Sequence, residues 1–156
     1  MTYFVLQASR QIADMAAGAI HIIAQIEAIE SAIQKSPAFV FDLSKSLIDM
    51  VCKTILKDRG IDPQNKLDTP QLLKETLKVL SLHHDELDQT EKTYDSLKRI
   101  ANGLHTAISG VCELRNMHGM IGHGQDGYAL TLESIHAHFV ASAADTIVHI
   151  LYRSHK

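Results

Sequence analysis

The chain has 156 residues, the usual size of one domain and long enough to bury a core without disulfides or metal. Hydrophobic residues make up 46% but aromatics only 5%, with no Trp and three Pro, which points to helices packed by Leu, Ile, Val and Ala and away from an all-β fold. A formal charge of −3 excludes a global basic field that would draw the protein onto nucleic acid, so any RNA or DNA contact has to be local.

In chain order, residues 3–33 form one long helical pattern in which Ile12, Ala16, Ile20, Ile23 and Ile26 recur at three- and four-residue steps, with Gly18 weakening its middle. Its apolar residues lie on more than one side, as expected of a helix with two neighbours, one of which could be a second copy of the protein. Ser36-Pro37 signals a second start, and the next helix carries Phe41, Leu47, Ile48, Val51, Ile55 and Leu56 before Gly60 stops it. In the polar linker after it, Asp68 or Thr69 caps a short helix with Pro70 in its first turn, running to about residue 82. His83 and His84 open an acidic connection without apolar periodicity; neighbours on a helix point about 100° apart, so this pair alone is a poor metal site.

The longest regular run comes next, with Tyr94, Leu97, Ile100 or Ala101, Leu104, Ile108, Val111 and Leu114 at helical spacing leading directly into Arg115. A last helix from about 132 to 152 places Ile135, Phe139, Val140, Ala143, Ile147, Ile150 and Leu151 on its apolar side. No repeat and no sustained strand-like alternation appears, and the fold expected is an all-α bundle of about five helices forming a single domain over residues 1–156. Cys52 and Cys112 sit inside apolar patterns, the setting of buried thiols. No leader segment opens the sequence and no apolar run reaches the roughly 18 residues that span a bilayer, so a soluble, cytoplasmic protein with no membrane partner is expected.

Polar, chemistry-bearing residues concentrate at 113–128, ELRNMHGMIGHGQDGY, between the last two apolar patterns. Arg115 offers a permanently charged fork of donors suited to phosphate. His123 comes after Gly119 and Gly122, which let the chain turn back. Arg with His and no carboxylate cluster for Mg²⁺ is the minimum for metal-independent RNA cleavage: His moves a proton and Arg stabilises the phosphorane, the nucleophile being the RNA 2′-OH. A second acid or base is needed, either His118 or His123 of a second subunit. No cofactor or metal is called for. The competing reading is structural, with Arg115 and Asn116 bonding the turn while His123 and Asp126 cap the next segment. On the last helix His138, Asp145 and His149 fall at steps of seven and four, a spacing that could hold a divalent metal.

The stretch LKRIANGLHTAISGVCELRNMHGMIGHG resembles the C-terminal domain of bacterial abortive-infection phage-resistance proteins, whose hallmark is a helix ending in LRN, then a glycine-containing turn and HG. Upstream, SLIDMVCKTILKDRGIDPQNKLDTPQLLKETLKVLSL looks like that family's preceding helices, so the resemblance covers about residues 38–151 and leaves residues 1–35, a candidate dimerisation helix, outside. That domain is similar to the HEPN superfamily of helical bundles. The resemblance implies a homodimer with a ribonuclease site at its interface, Arg115 clamping phosphate, Asn116 orienting the site and His123 serving as acid or base, with His118 in reserve. It implies RNA as substrate and phage defence or toxin-like growth arrest as the setting. The seven residues between Arg115 and His123 exceed the family's usual spacing and the two before His118 fall short of it; an extra residue in the glycine turn favours His123. The alternative is a non-catalytic module of a phage-defence or toxin-antitoxin system that dimerises or binds a partner defence protein.

Overall fold

In the computed structural model, residues 4–15, 20–63, 67–80, 94–118 and 134–155 are described. They hold six helices: α1 Gln7–Met15, α2 Ile20–Lys35, α3 Pro37–Asp58, α4 Thr69–Val79, α5 Tyr94–His118 and α6 Ser134–His155. The all-α bundle expected from periodicity is the fold observed.

α3 is the central helix and packs most extensively on α6, then on α2 and α4. Val40, Phe41, Leu47, Ile48, Val51 and Ile55 are fully buried along it, because its apolar positions surround the helix more widely than one stripe. Pro37 occupies its first turn, where a missing N–H costs nothing. Its other end closes around Gly60, whose φ of 75° is the left-handed conformation that only glycine adopts without strain. Gly60 N–H donates to Lys57 O at 2.9 Å and Ile61 N–H to Leu56 O at 2.9 Å, the paired bonds of a Schellman stop. α4 begins with a capping box: Asp68 Oδ1 accepts from Gln71 N–H at 2.9 Å while Gln71 Oε1 accepts from Asp68 N–H at 3.0 Å. It ends at Val79, short of the boundary near 82 expected from the sequence.

The first helical pattern is two helices. Leu6 N–H donates to Glu30 Oε2 at 2.8 Å, and Arg10 also pairs with Glu30. In one straight helix residues 6 and 30 would stand about 36 Å apart, so the chain reverses between α1 and α2. This is why there are six helices rather than about five. The buried face of α2 is Ile22, Ile26, Ile29 and Ile33, whereas Ile20 is 75% exposed.

α6 differs from expectation in a similar way. Ala137, Ala141 and Ala144 form its buried face with Val140, Ile147, Val148 and Leu151, while Phe139 is 67% exposed. Small side chains let the α6 backbone lie close against α3. Phe41, Val111 and Val140 make a separate apolar cluster. At the other end, His155 lies 3.2 Å from Asp58 and accepts from Arg59 at 3.3 Å. α3 and α6 therefore run parallel, and the C-terminal part of α5 meets the N-terminal turns of both.

Candidate functional site

α5 places the motif. Leu104, Ile108 and Val111 are buried along one line of this helix, and Cys112 is half-buried beside it. At about 100° per residue, position 115 continues the Val111 line and position 116 the Cys112 line. Arg115, Asn116 and His118 all belong to the last turn of α5, where positions 115 and 118 share a side by helical register. Their side chains lie outside the described part of the structure, as do His83, His84, His123 and Asp126 entirely.

The surroundings of that turn are set by the packing. Val111 clusters with Phe41 of α3 and Val140 of α6, so the N-terminal turns of α3 and α6 lie beside the C-terminal part of α5. Neither helix has an acidic residue in its first turn. Next to Cys112 lies the Lys45–Asp49 pair of α3, at 3.2 Å, with Lys45 about a third exposed. Thr69 of α4 faces the same thiol.

Burial holds both cysteines toward the thiol form. Burial pushes the Cys52 thiol up to about 12, against a lowering hydrogen bond from Thr76 and with the Asp49 charge adding to the rise. Burial also raises Cys112, opposed by the Thr69 hydroxyl and the Lys45 charge. Both thiols are free.

The triplet His138, Asp145 and His149 is not a metal centre. Asp145 accepts from Ala8 N–H at 3.3 Å and Ser9 N–H at 2.8 Å, capping the first turn of α1. His138 meets Phe4 edge-on, with ring centroids 4.7 Å apart, and His149 accepts from Arg153 at 3.1 Å. Among the described residues no group of three His, Cys, Asp or Glu is placed to hold a metal ion. Two recesses of about 440 and 410 Å³ are lined respectively by residues such as Lys53, Lys57 and Asp62, and Phe4, Arg10 and Glu30, with none of the described α5 side chains in either lining. No helix among the described residues is long and apolar enough to cross a membrane. The Lys45–Asp49 pair is a feature that sequence reasoning missed, although its i,i+4 spacing on α3 was the signal for it.

A family model described as Abi_C, a HEPN-like domain, matches residues 21–155. The chain belongs to the Abi_C family. The Abi_C match begins inside α2, so the family unit takes in α2 as well as the stretch from residue 38 that the motifs suggested, and α1 precedes it. Comparison with curated proteins and with solved structures finds no match. The Abi_C unit contains the whole of α5, and Arg115–Asn116 stands in the last turn of this helix.

Proposed function

We propose that this Abi_C domain is a metal-independent ribonuclease of abortive infection, working as a cytoplasmic homodimer with Arg115, Asn116 and His123 at the subunit interface. The observation that carries the reading is the position of Arg115–Asn116 in the last turn of α5, inside a chain of the HEPN-like family.

The 2′-OH of the RNA loses its proton to one imidazole and bonds to the adjacent phosphorus, while the 5′-oxygen leaves and takes a proton from a second. Arg115 stabilises the doubly negative phosphorane and Asn116 orients the site. The two imidazoles are His123 of each copy, with His118 the substitute for the partner's.

The test is cleavage of RNA in EDTA by wild type, Arg115→Ala and His123→Ala, each variant confirmed folded and unchanged in oligomeric state. Each substitution is expected to lower the rate about a hundredfold or more. A wild type that cleaves no RNA, or variants that cleave equally well, overturns the catalytic reading.

A second reading, a non-catalytic module that pairs with itself or with a partner defence protein, draws on one observation. Phe39 in the first turn of α3 and Phe139 in the second turn of α6 are 63% and 67% exposed, near in sequence to Phe41 and Val140, which cluster with Val111 of α5. The module reading expects Phe39→Ser with Phe139→Ser to abolish association and the Arg115→Ala protein to keep full biological effect.

A further inference from the structure

The four residues that separate α1 from α2 are Ala16, Ala17, Gly18 and Ala19, and three of them are alanine, the strongest helix former. The apolar period passes through them unbroken, so residues 3–33 carry the pattern of one continuous helix although the chain reverses. The contacts that hold α1 in place all cross to other elements. Leu6, buried, donates its N–H to Glu30 of α2 at 2.8 Å, and Arg10 pairs with the same carboxylate. Asp145 of α6 takes the Ala8 and Ser9 N–H groups, and Phe4 stands edge-on to His138. The same groove between α2 and α6 therefore fits the α1 of another molecule as well as its own.

Leu6 and Glu30 lie twelve positions to either side of Gly18. When residues 16–19 continue the helix, two copies laid antiparallel with Gly18 of each on the twofold axis bring Leu6 of one opposite Glu30 of the other. That is the pairing found within the single chain. The residue at the crossing is then the one without a side chain, where two helix backbones come closest. Ile20, two positions or about 3 Å along the helix from that axis, is 75% exposed in the single chain and gains a second copy beside it in the pair.

We propose that α1 is an exchangeable arm: two copies straighten residues 16–19, and each lays its α1 into the α2–α6 groove of the other, on Glu30 and Asp145. The exchange keeps the contacts of α1 and alters only the hinge, so hinge sequence and protein concentration set the balance. Phe4 beside His138 and Ser9 beside Asp145 show that α1 runs in the direction of α6, which puts the hinge toward the C-terminal half of α6. The N-terminal turn of α6 that flanks the end of α5 is at the other end. The exchanged pair is thus a different association from the one proposed for the Arg115 site, and it does not rest on the ribonuclease reading.

The test is the association constant, by sedimentation equilibrium, of wild type, Gly18→Ala and a protein with Gly-Ser-Gly inserted after Gly18. Gly18→Ala favours helix at both hinges of a pair and is expected to tighten association about thirtyfold. The insertion interrupts the helix and relaxes the reversal, and is expected to abolish exchange. A second arm of the experiment assigns the groove. Arg10→Glu and Glu30→Lys each set like charges against one another at the α1 contact, both within one chain and within a pair of identical chains. In a pair formed from the two variants, one arm contact carries both substitutions, with opposite charges restored, and the other carries neither. After the two are refolded together, native mass spectrometry is expected to find the one-to-one complex in excess of a random mixture, and hydrogen exchange in α3 confirms that each variant keeps its core. Association that ignores both hinge changes, wild type and Gly18→Ala that stay monomeric at every concentration, or variants that pair no better than at random overturns the proposal.

Discussion

Asp145 caps α1 from across the chain, its two oxygens taking the Ala8 and Ser9 N–H groups that the helix itself leaves without acceptors. Replacing it by Ala is expected to cost about 1 kcal/mol, read as a lowered urea midpoint at unchanged slope. Cys52 yields a pH prediction of definite sign. Its thiol is raised from 9.0 to about 12 by burial, so the folded protein holds a proton that the unfolded chain releases. The stability from that proton is complete below pH 9 and is lost between pH 9 and about 12. In that window the wild type should lose up to about 1.4 kcal/mol per pH unit more than Cys52→Ala, measured by urea unfolding at several pH values. Equal pH dependence would overturn it. Local capping chemistry was legible in the sequence, since Asp68 and Pro70 announce α4 within a few residues. The Asp145 cap was not, because its partners are more than a hundred residues away and a carboxylate between two histidines looks like a ligand set until packing assigns each one.

The elements divide along the same line between local and distant causes. α3, α4, α5 and α6 were visible because each combines an apolar period with a start or stop signal close by. The reversal between α1 and α2 was hidden, for a glycine inside an apolar-periodic run costs a helix only about 1 kcal/mol and does not by itself end it. What decides the turn is Glu30, taking the Leu6 N–H and pairing with Arg10, together with Asp145. A helix of nine residues is marginal alone. Glu30→Ala combined with Asp145→Ala is therefore expected to release α1 while α2 to α6 remain folded: amides of residues 6–11 lose hydrogen-exchange protection and those of α3 keep theirs. Equal loss in α3 would make α1 part of the core. On α6 the sequence pattern overvalued Phe139 and undervalued alanine, since the tight approach to α3 rewards small volume. Ala141→Leu should then destabilise by about 1–3 kcal/mol through overpacking, despite adding apolar surface.

At the scale of the whole molecule the fold and the family were both readable, the first from periodicity and the second from LRN at the end of a long helix. The path from Arg115 to His123 was not, because four glycines between 119 and 127 accept either sign of φ, and residues 119–133 lie outside the described structure. In the proposed site the neighbouring chain is a second copy, whose His123 supplies the second proton-transfer group. Such sharing has a kinetic signature that a self-sufficient site lacks. When wild type is co-refolded with an equal amount of His123→Ala, about a quarter of the dimers are wholly wild type and half are mixed. If each cleavage needs the histidine of both copies, mixed dimers are inactive and the wild-type activity present should fall by about half. If each copy completes its own site with His118, mixed dimers keep one working site and the activity stays where it was, which would move the second proton transfer from the partner to the last turn of α5.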